Sequence, residues 1–320
     1  MNKVLTISIA AYNVGSYIRA TLDSLIVSEV LDKLEVFIID DGGKDDTLAI
    51  AQEYADKYPD VFFPVHKENG GYGSTVMWSV EHASGKYFKL LDGDDWFTTE
   101  NLAEYVKRME NSDADAFVSN TAKAVEGEEK HEMYSFTHEL DGKTISINEA
   151  DKYPVVAMWA YAFKTSVVKE NFRPLPLHTL YTDQIYVMYS LCGVKNIEYF
   201  GGVIYNWRLG RDEQSNSVNS IRKHYREIID VADIINEFFT EKKNNGLPNG
   251  LAYMLKRAAA YYSNSIAMLL QLEKTSENKK IIVDWEKSTK EKYRDIYDAA
   301  AAAKKLLLLR KSNYLSYKFI

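Results

Sequence analysis

The sequence predicts an α/β protein: a mostly parallel sheet flanked by helices, followed by an all-helical module. Three observations carry the prediction. Apolar runs of strand length alternate with helical patterns from Val4 to Leu91. Clusters of Asp, Asn and Gly close those runs, and beyond residue 217 strand patterns give way to long amphipathic helical ones.

Val4 to Ala10 reads as a buried strand, a mostly apolar run of strand length. Ile18, Leu22, Leu25 and Ile26 then recur at i, i+4, i+7 and i+8, one face of a helix. Leu34 to Ile39 is the second strand and ends in Asp40-Asp41-Gly42-Gly43. Asp46 or Thr47 caps a helix that runs to Tyr58 and is stopped by Pro59. Val61 to Val65 is the third strand, Gly73 to Ala83 a helix, and Tyr87 to Leu91 the fourth strand. Such a βαβαβαβ order implies right-handed crossovers, and sheets of this kind bind ligands beyond the carboxyl ends of their strands.

At 320 residues, 46% apolar and 13% aromatic, the chain has material for a large core. A single cysteine, Cys192, excludes a disulfide framework, and no window approaches 18 uninterrupted apolar residues. The opening segment MNKVLTISIAAYN is broken by Thr6 and Ser8 and lacks a small-residue cleavage site, so it reads as a strand, and a cytoplasmic location is expected. The net charge of −7 is unevenly shared: −14 over residues 1–217 and +7 over residues 218–320. The polar run from Gly210 to Ser220 marks the boundary between two domains, 1–217 and 218–320. No nucleic-acid partner is expected.

Four polar clusters fall at successive strand ends: Ala11-Tyr12-Asn13, Asp40-Asp41-Gly42, Asn69-Gly70-Gly71-Tyr72-Gly73 and Asp92-Gly93-Asp94-Asp95. Taken singly, each can be a turn or a solvated face. Together they mark a site. Glycines let the backbone approach a ligand, and a helix starting after Gly73 presents N–H groups to an anion. Three carboxylates within four positions raise one another's free energy unless a cation lies between them. The dinucleotide fingerprint G-x-G-x-x-G is absent after the first strand, where the turn reads AAYNVGS, and no P-loop is spelled.

The stretches ISIAAYNVGSYIRATLDSL, FIIDDGGKDDT, ENGGYGS, ASGKYFKLLDGDDWF, TLYTDQIYVMY and YNWRLGRDEQSNS run in the order of family 2 glycosyltransferases with the GT-A fold, which residues 1–217 resemble. The resemblance implies a nucleotide-diphosphate-sugar donor and an inverting outcome. It assigns Asp94 as the first metal ligand, with Asp92 and Asp95 beside it, for Mn²⁺ or Mg²⁺, hard cations suited to carboxylates and phosphates. Tyr12 and Asp41, with Asp40 ranked behind, match positions that hold base and ribose; Ala11, Asn13, Gly71 and Gly93 complete the donor cradle. Asp183 matches the general base, although Thr182 stands where many relatives carry an acid, and its alternative role is that of a helix N-terminal Asp. Val76-Met77 replaces an Arg-Asn common after the N-G-G turn, so Arg208 and Arg211, near Gln214 and Ser215, are expected to contact the diphosphate. Trp159 is either core or an acceptor contact. His66, His82, His178 and His224 are too scattered to suggest a site.

The expected activity is transfer of a hexose or N-acetylhexosamine from a UDP-sugar to a hydroxyl of a growing glycan on protein, polysaccharide or lipid. The alternative is a non-catalytic scaffold of the same fold. A nucleotidyltransferase is disfavoured by the lack of a Gly-rich loop after the first strand.

The tail reads as three helices. One face holds Ile221, Ile228, Ile235 and Phe239; Gly246-Leu247-Pro248 breaks the chain; Leu251, Leu255, Tyr262 and Ile266 make a second face; a third helix runs from Glu277 towards Leu309. Its aromatic content exceeds what a three-helix seam needs, so a homo-oligomer assembled through residues 218–320 is expected, ahead of partner docking and of contact with a membrane surface.

Overall fold

The computed structural model describes residues 2–125, 132–134, 138–209, 217–247 and 249–320. The chain forms two units, one of residues 1–147 and 156–211, the other of residues 148–155 and 212–320.

The first unit is built on a mixed sheet. β1 (Leu5–Ala11), β2 (Leu34–Asp40) and β3 (Phe62–His66) alternate with α1 (Gly15–Asp23) and α2 (Thr47–Lys57). After α3 (Tyr72–His82) and β4 (Tyr87–Asp92), the chain turns through the two-residue β5 (Trp96–Phe97) into α4 (Thr99–Asn111). There follow β6 (Ala116–Val125), β7 (Glu132–Tyr134), β8 (Thr144–Ser146), β9 (Tyr161–Lys164), α5 (Thr165–Asn171), α6 (Thr182–Leu191) and β10 (Asn196–Leu209). The strand order is β3-β2-β1-β4-β9-β6-β10-β5, with β7 on β6 and β8 on β10. The four strands expected from the apolar runs are present and parallel, each within a residue of its expected ends. β9, not expected from the sequence, runs antiparallel between β4 and β6.

Register explains why the polar clusters meet. Ala11 pairs with Asp40, Ala10 with Asp92, and Asp40 with His66. In-register parallel pairing therefore brings the ends of β1, β2, β3 and β4 to one sheet edge. Behind that edge, Leu5, Ile7, Ile9, Val36, Ile38 and Leu91 are buried, and each such side chain contributes about 1.5–3 kcal/mol of burial. The edge is thus fixed by a rigid core.

The second unit holds α7 (Val218–Asn244), α8 (Leu251–Leu269), α9 (Ser276–Lys292), α10 (Arg294–Ala299) and α11 (Lys304–Lys311). Ser217 and Thr275 cap α7 and α9, accepting from the Ser220 and Asn278 amides. Pro248 lies outside the described residues. The expected third helix is three: the backbone leaves helical geometry at Tyr293 (φ −129°, ψ 54°) and at Ala303 (ψ 117°). The physical reason is a buried ion pair. Arg310 Nε and Nη2 donate to the Glu286 carboxylate at 2.7 and 2.9 Å, Tyr314 donates to it at 2.9 Å, and Tyr262 donates to it as well. One unbroken helix would hold residues 286 and 310 about 36 Å apart. Pairing a buried carboxylate outweighs the helix propensity of Ala299 to Ala303.

Phe238, Phe239, Tyr253, Tyr262 and Trp285 are buried, and Trp285 donates from its indole to Asp233 at 2.9 Å. Much of the aromatic content behind the expected self-association is thus buried within this unit.

Candidate functional site

The site begins with the turns after β1 and β2, which are stitched together. Val14 N–H donates to Thr47 Oγ1 at 2.9 Å, Gly15 N–H to Asp45 Oδ2 at 2.8 Å, and Lys44 N–H to Asn13 Oδ1 at 2.8 Å. Asn13 adopts φ 53°, a left-handed conformation that Asn tolerates, which turns the chain sharply and leaves Tyr12 53% exposed beside it. Ala11 is buried beneath them. Asp45 and Thr47 carry this stitching, and the Asp46 side chain makes no cap.

Asp40 and Asp41 are both buried, with different partners. Asp40 accepts from Gly43 N–H at 2.9 Å and contacts His66 Nδ1 at 2.7 Å. Asp41 Oδ1 accepts from Lys67 Nζ at 2.6 Å, Gly70 N–H at 3.0 Å and Ser74 Oγ at 3.2 Å, while Oδ2 accepts from Gly71 N–H at 2.8 Å. Asp41 thus holds the Asn69–Ser74 turn in shape. A carboxylate has about four acceptor positions, so Asp40 keeps more capacity for a ligand than Asp41, the reverse of the ranking by sequence. His66, set aside in the sequence, belongs to this cluster.

Gly71 stands at φ 80°, ψ 172°, a region essentially restricted to glycine, and a Cβ there would lie 2.8 Å from His178 N. His178 N–H in turn donates to Gly70 O at 2.8 Å, which seats the segment leading into α6 against the turn. Gly71→Ala should cost about 1–3 kcal/mol in backbone strain alone and should weaken nucleotide binding, since Asp41's donors move with the turn. Thermal denaturation with and without UDP checks this; an unchanged midpoint and unchanged affinity would contradict it.

The Asp92–Asp95 turn is held from three sides. Gly93 N–H donates to Ala10 O at 3.2 Å, and a Cβ on Gly93 would come within 2.9 Å of that oxygen. Thr21 Oγ1 donates to the carbonyls of Gly93 and Asp95 at 3.0 and 2.7 Å. From β10, Tyr205 Oη donates to Asp95 Oδ2 at 2.6 Å and Arg208 N–H to Asp95 Oδ1 at 2.7 Å. Asp95 is consequently a structural clamp. Arg208 Nε donates to Asp94 O at 2.8 Å, with its guanidinium over Trp96 and Tyr17, so its charge sits at the turn. Arg211, Gln214 and Ser215 lie outside the described residues.

Asp92 Oδ1 is buried without a hydrogen-bond partner. Burial, then the charges of Asp94 and Asp183, push the Asp92 pKa up to about 7. Tyr72 lies beside both acids: burial first, then Asp92 and Asp183, raise its hydroxyl pKa well above the usual value. Asp183, at the start of α6 after the left-handed Tyr181 (φ 63°), accepts from Gln184 Nε2 at 2.5 Å. The fold therefore gathers Asp92, Asp94 and Asp183, from turns about ninety residues apart in the chain, into one acidic neighbourhood. An unpartnered buried oxygen among like charges fits a hard divalent cation that completes its shell with water and phosphate. Among the described residues no three His, Cys, Asp or Glu side chains enclose an ion by themselves.

Trp159 stacks on Trp207 (4.3 Å between centroids) and on Tyr205 (5.9 Å), both on β10. Beneath it, buried Lys89 donates to Trp159 O at 2.5 Å and Tyr161 O at 3.1 Å, and burial lowers its pKa to about 7. Lys67, Tyr72, Lys89 and Tyr205 carried no site signal of their own in the sequence. Tyr72 and Tyr205 do lie inside the quoted NGGYG and YNW stretches, and proximity to those motifs was the one available clue.

The sequence aligns with EpsH of Bacillus subtilis at 26% identity over 211 residues, 64% of this chain and 60% of that protein. The fold is similar to that of S. aureus TarS 1-349, solved in complex with UDP-GlcNAc: TM-score 0.71, 16% identity, covering 98% of this chain and 89% of the other. It is also similar to the mannosyltransferase PcManGT from Pyrobaculum calidifontis, solved with GDP-Man and Mn²⁺: TM-score 0.52, 15% identity, covering 98% and 88%. The family model described as "Glycosyl transferase family 2" matches residues 6–172, the span from β1 through α5 that builds the sheet edge and its acidic turn. More than half of the chain is covered, and the protein belongs to glycosyl transferase family 2.

Proposed function

We propose that this family 2 glycosyltransferase moves a hexose or N-acetylhexosamine from a UDP-sugar to a hydroxyl of a growing glycan, with inversion at the anomeric carbon. The observation that carries the reading is the unpartnered, buried Oδ1 of Asp92 among carboxylates at the strand ends. UDP-GlcNAc in TarS supports the choice of donor, and Mn²⁺ in PcManGT supports a divalent cation.

In this reading Asp94 and Asp92 hold Mn²⁺ or Mg²⁺. The bound cation would neutralise the diphosphate as the sugar–phosphate bond breaks. Every other role falls to the chain. Tyr12 offers an exposed ring to the base, and Asp40 accepts from the nucleoside, while Asp41 keeps the Asn69–Ser74 turn in shape. Asn13 and the glycines at 71 and 93 shape the backbone around the donor. Arg208 adds positive charge beside the diphosphate. Asp183 takes the proton from the acceptor hydroxyl as it attacks, with the Gln184 amide orienting the carboxylate; one base suffices for single displacement. Tyr72, held protonated by burial and then by its acidic neighbours, can donate a hydrogen bond to Asp92 or Asp183 and keep the two carboxylates apart in role.

Incubation of the protein with Mn²⁺ and a panel of UDP-sugars should release UDP from one of them faster than from the rest. Saturating UDP and Mn²⁺ should also raise the unfolding midpoint, since a ligand at a hundred times Kd stabilises by about 2.7 kcal/mol. Neither UDP release nor a midpoint shift with any member of the panel would overturn the reading.

A further inference from the structure

Among the described residues, six large apolar side chains are exposed, and three of them, Leu308 (51%), Leu315 (77%) and Phe319 (89%), fall within one short stretch of α11 and the turn after it. Lys304, Leu308 and Lys311 lie at i, i+4 and i+7, one face of α11, and all three are exposed, while Leu306 and Leu309 on the opposite side are buried. After a turn through Asn313 and Tyr314, Leu315, Lys318 and Phe319 are exposed in the short 3-10 helix Leu315–Phe319, whose Tyr317 is buried. No Asp or Glu follows Asp298 in the chain. A further cation joins from the α8–α9 connection. Lys274 is exposed and close enough to Lys305 for its pKa to be lowered, after burial, by that charge, and its ammonium lies over the Tyr317 ring. The acid that reaches this segment, Glu286, is buried and taken up by Arg310 and Tyr314, and Glu273 meets it through its backbone carbonyl, which accepts from Tyr317 Oη.

Lysines are depleted in the cores of protein–protein interfaces, where Arg and aromatic groups dominate. Here the one arginine of α11, Arg310, is committed inward to Glu286, and the outward cations are all lysines. Long apolar side chains set singly among lysines, with no acid between them, have the composition of an interfacial membrane anchor: the apolar groups enter the acyl boundary and the ammonium groups meet anionic headgroups. No helix among the described residues is long and apolar enough to cross a membrane, so such contact would lie in the plane of the surface.

We propose that the face carrying Lys304, Leu308, Lys311, Leu315, Lys318 and Phe319 binds the surface of a membrane rich in anionic phospholipid. The inference stands apart from the donor chemistry, because it uses none of the residues assigned to the sheet edge.

The test is flotation of the full chain with vesicles of phosphatidylcholine alone and of phosphatidylcholine with phosphatidylglycerol, in low and high salt. Binding is expected to the phosphatidylglycerol vesicles and not to phosphatidylcholine alone, and to weaken as salt rises. Leu315→Ser with Phe319→Ser should reduce that binding at least tenfold, and Lys304→Gln with Lys311→Gln should reduce it and flatten its salt dependence. All four positions are exposed, and circular dichroism with UDP-sugar turnover in the absence of vesicles confirms that the variants stay folded. Equal flotation of wild type and variants, or no flotation on anionic vesicles, would overturn the proposal. So would light scattering in which the wild type dimerises and the same variants turn monomeric without any vesicle effect, since the face would then serve a second copy.

Discussion

Asp183→Asn is expected to lower sugar transfer by at least a thousandfold while leaving UDP affinity within a few fold. The substitution keeps the size of the side chain and can still meet Gln184, but an amide cannot accept the acceptor's proton as the glycosidic bond forms. A thousandfold loss corresponds to about 4 kcal/mol of transition-state stabilisation. Because the base acts on the acceptor's proton and makes no contact needed to hold the nucleotide, the effect should appear in turnover and not in UDP binding. Titration of UDP into the variant beside a transfer assay separates the two. Loss of UDP binding in step with activity would make Asp183 a donor-holding or structural residue, a role its position at the start of α6 also permits.

The second large effect concerns Asp94. Asp94→Asn removes a charged ligand from the acidic turn and should reduce transfer at least a hundredfold, about 3 kcal/mol, with EDTA producing a comparable loss in the unaltered protein. Its backbone carbonyl still accepts from Arg208 Nε, and Asp95 still clamps the turn to β10, so the fold should survive. Unaltered turnover in EDTA would remove the cation from the account. Added Mn²⁺ that restores activity to the EDTA-treated protein but not to the variant would tie the effect to this turn.

Much of the first unit was legible because its strands are parallel and buried on both faces. β1, β2 and β4 are short, mostly apolar and β-branched or aromatic, interrupted only by Thr6 and Ser8, Glu35, and Lys89, and turn residues follow each; that length and those flanks mark strands rather than helices. Their polar ends were legible for the complementary reason: Asp-Asp-Gly and Asp-Gly-Asp-Asp cannot continue a buried strand. What stayed hidden was set by partners distant in the chain. β5 has two residues and exists by pairing with β10, and β10 changes register between Phe200 and Tyr205, which breaks the alternation that would reveal a strand. β9 and α5, four and seven residues long, are too short to show a period of their own.

In the site, Asp41 looked like a ligand-reading carboxylate. Its four donors come from a turn some thirty positions downstream, and the sequence holds no sign of that commitment. The division of the last helix was illegible for the same reason, since the pairing of Glu286 with Arg310 overrides an alanine-rich segment of high helix propensity.

Calorimetric titration of the protein with UDP and with GDP, each in Mn²⁺ and again in EDTA, tests the account's central claim most directly. A UDP-sugar site built on Asp92 and Asp94 predicts that UDP binds in Mn²⁺ at least tenfold more tightly than GDP, and that EDTA weakens UDP binding by a similar factor. GDP binding as tightly as UDP, or UDP binding untouched by EDTA, would contradict it.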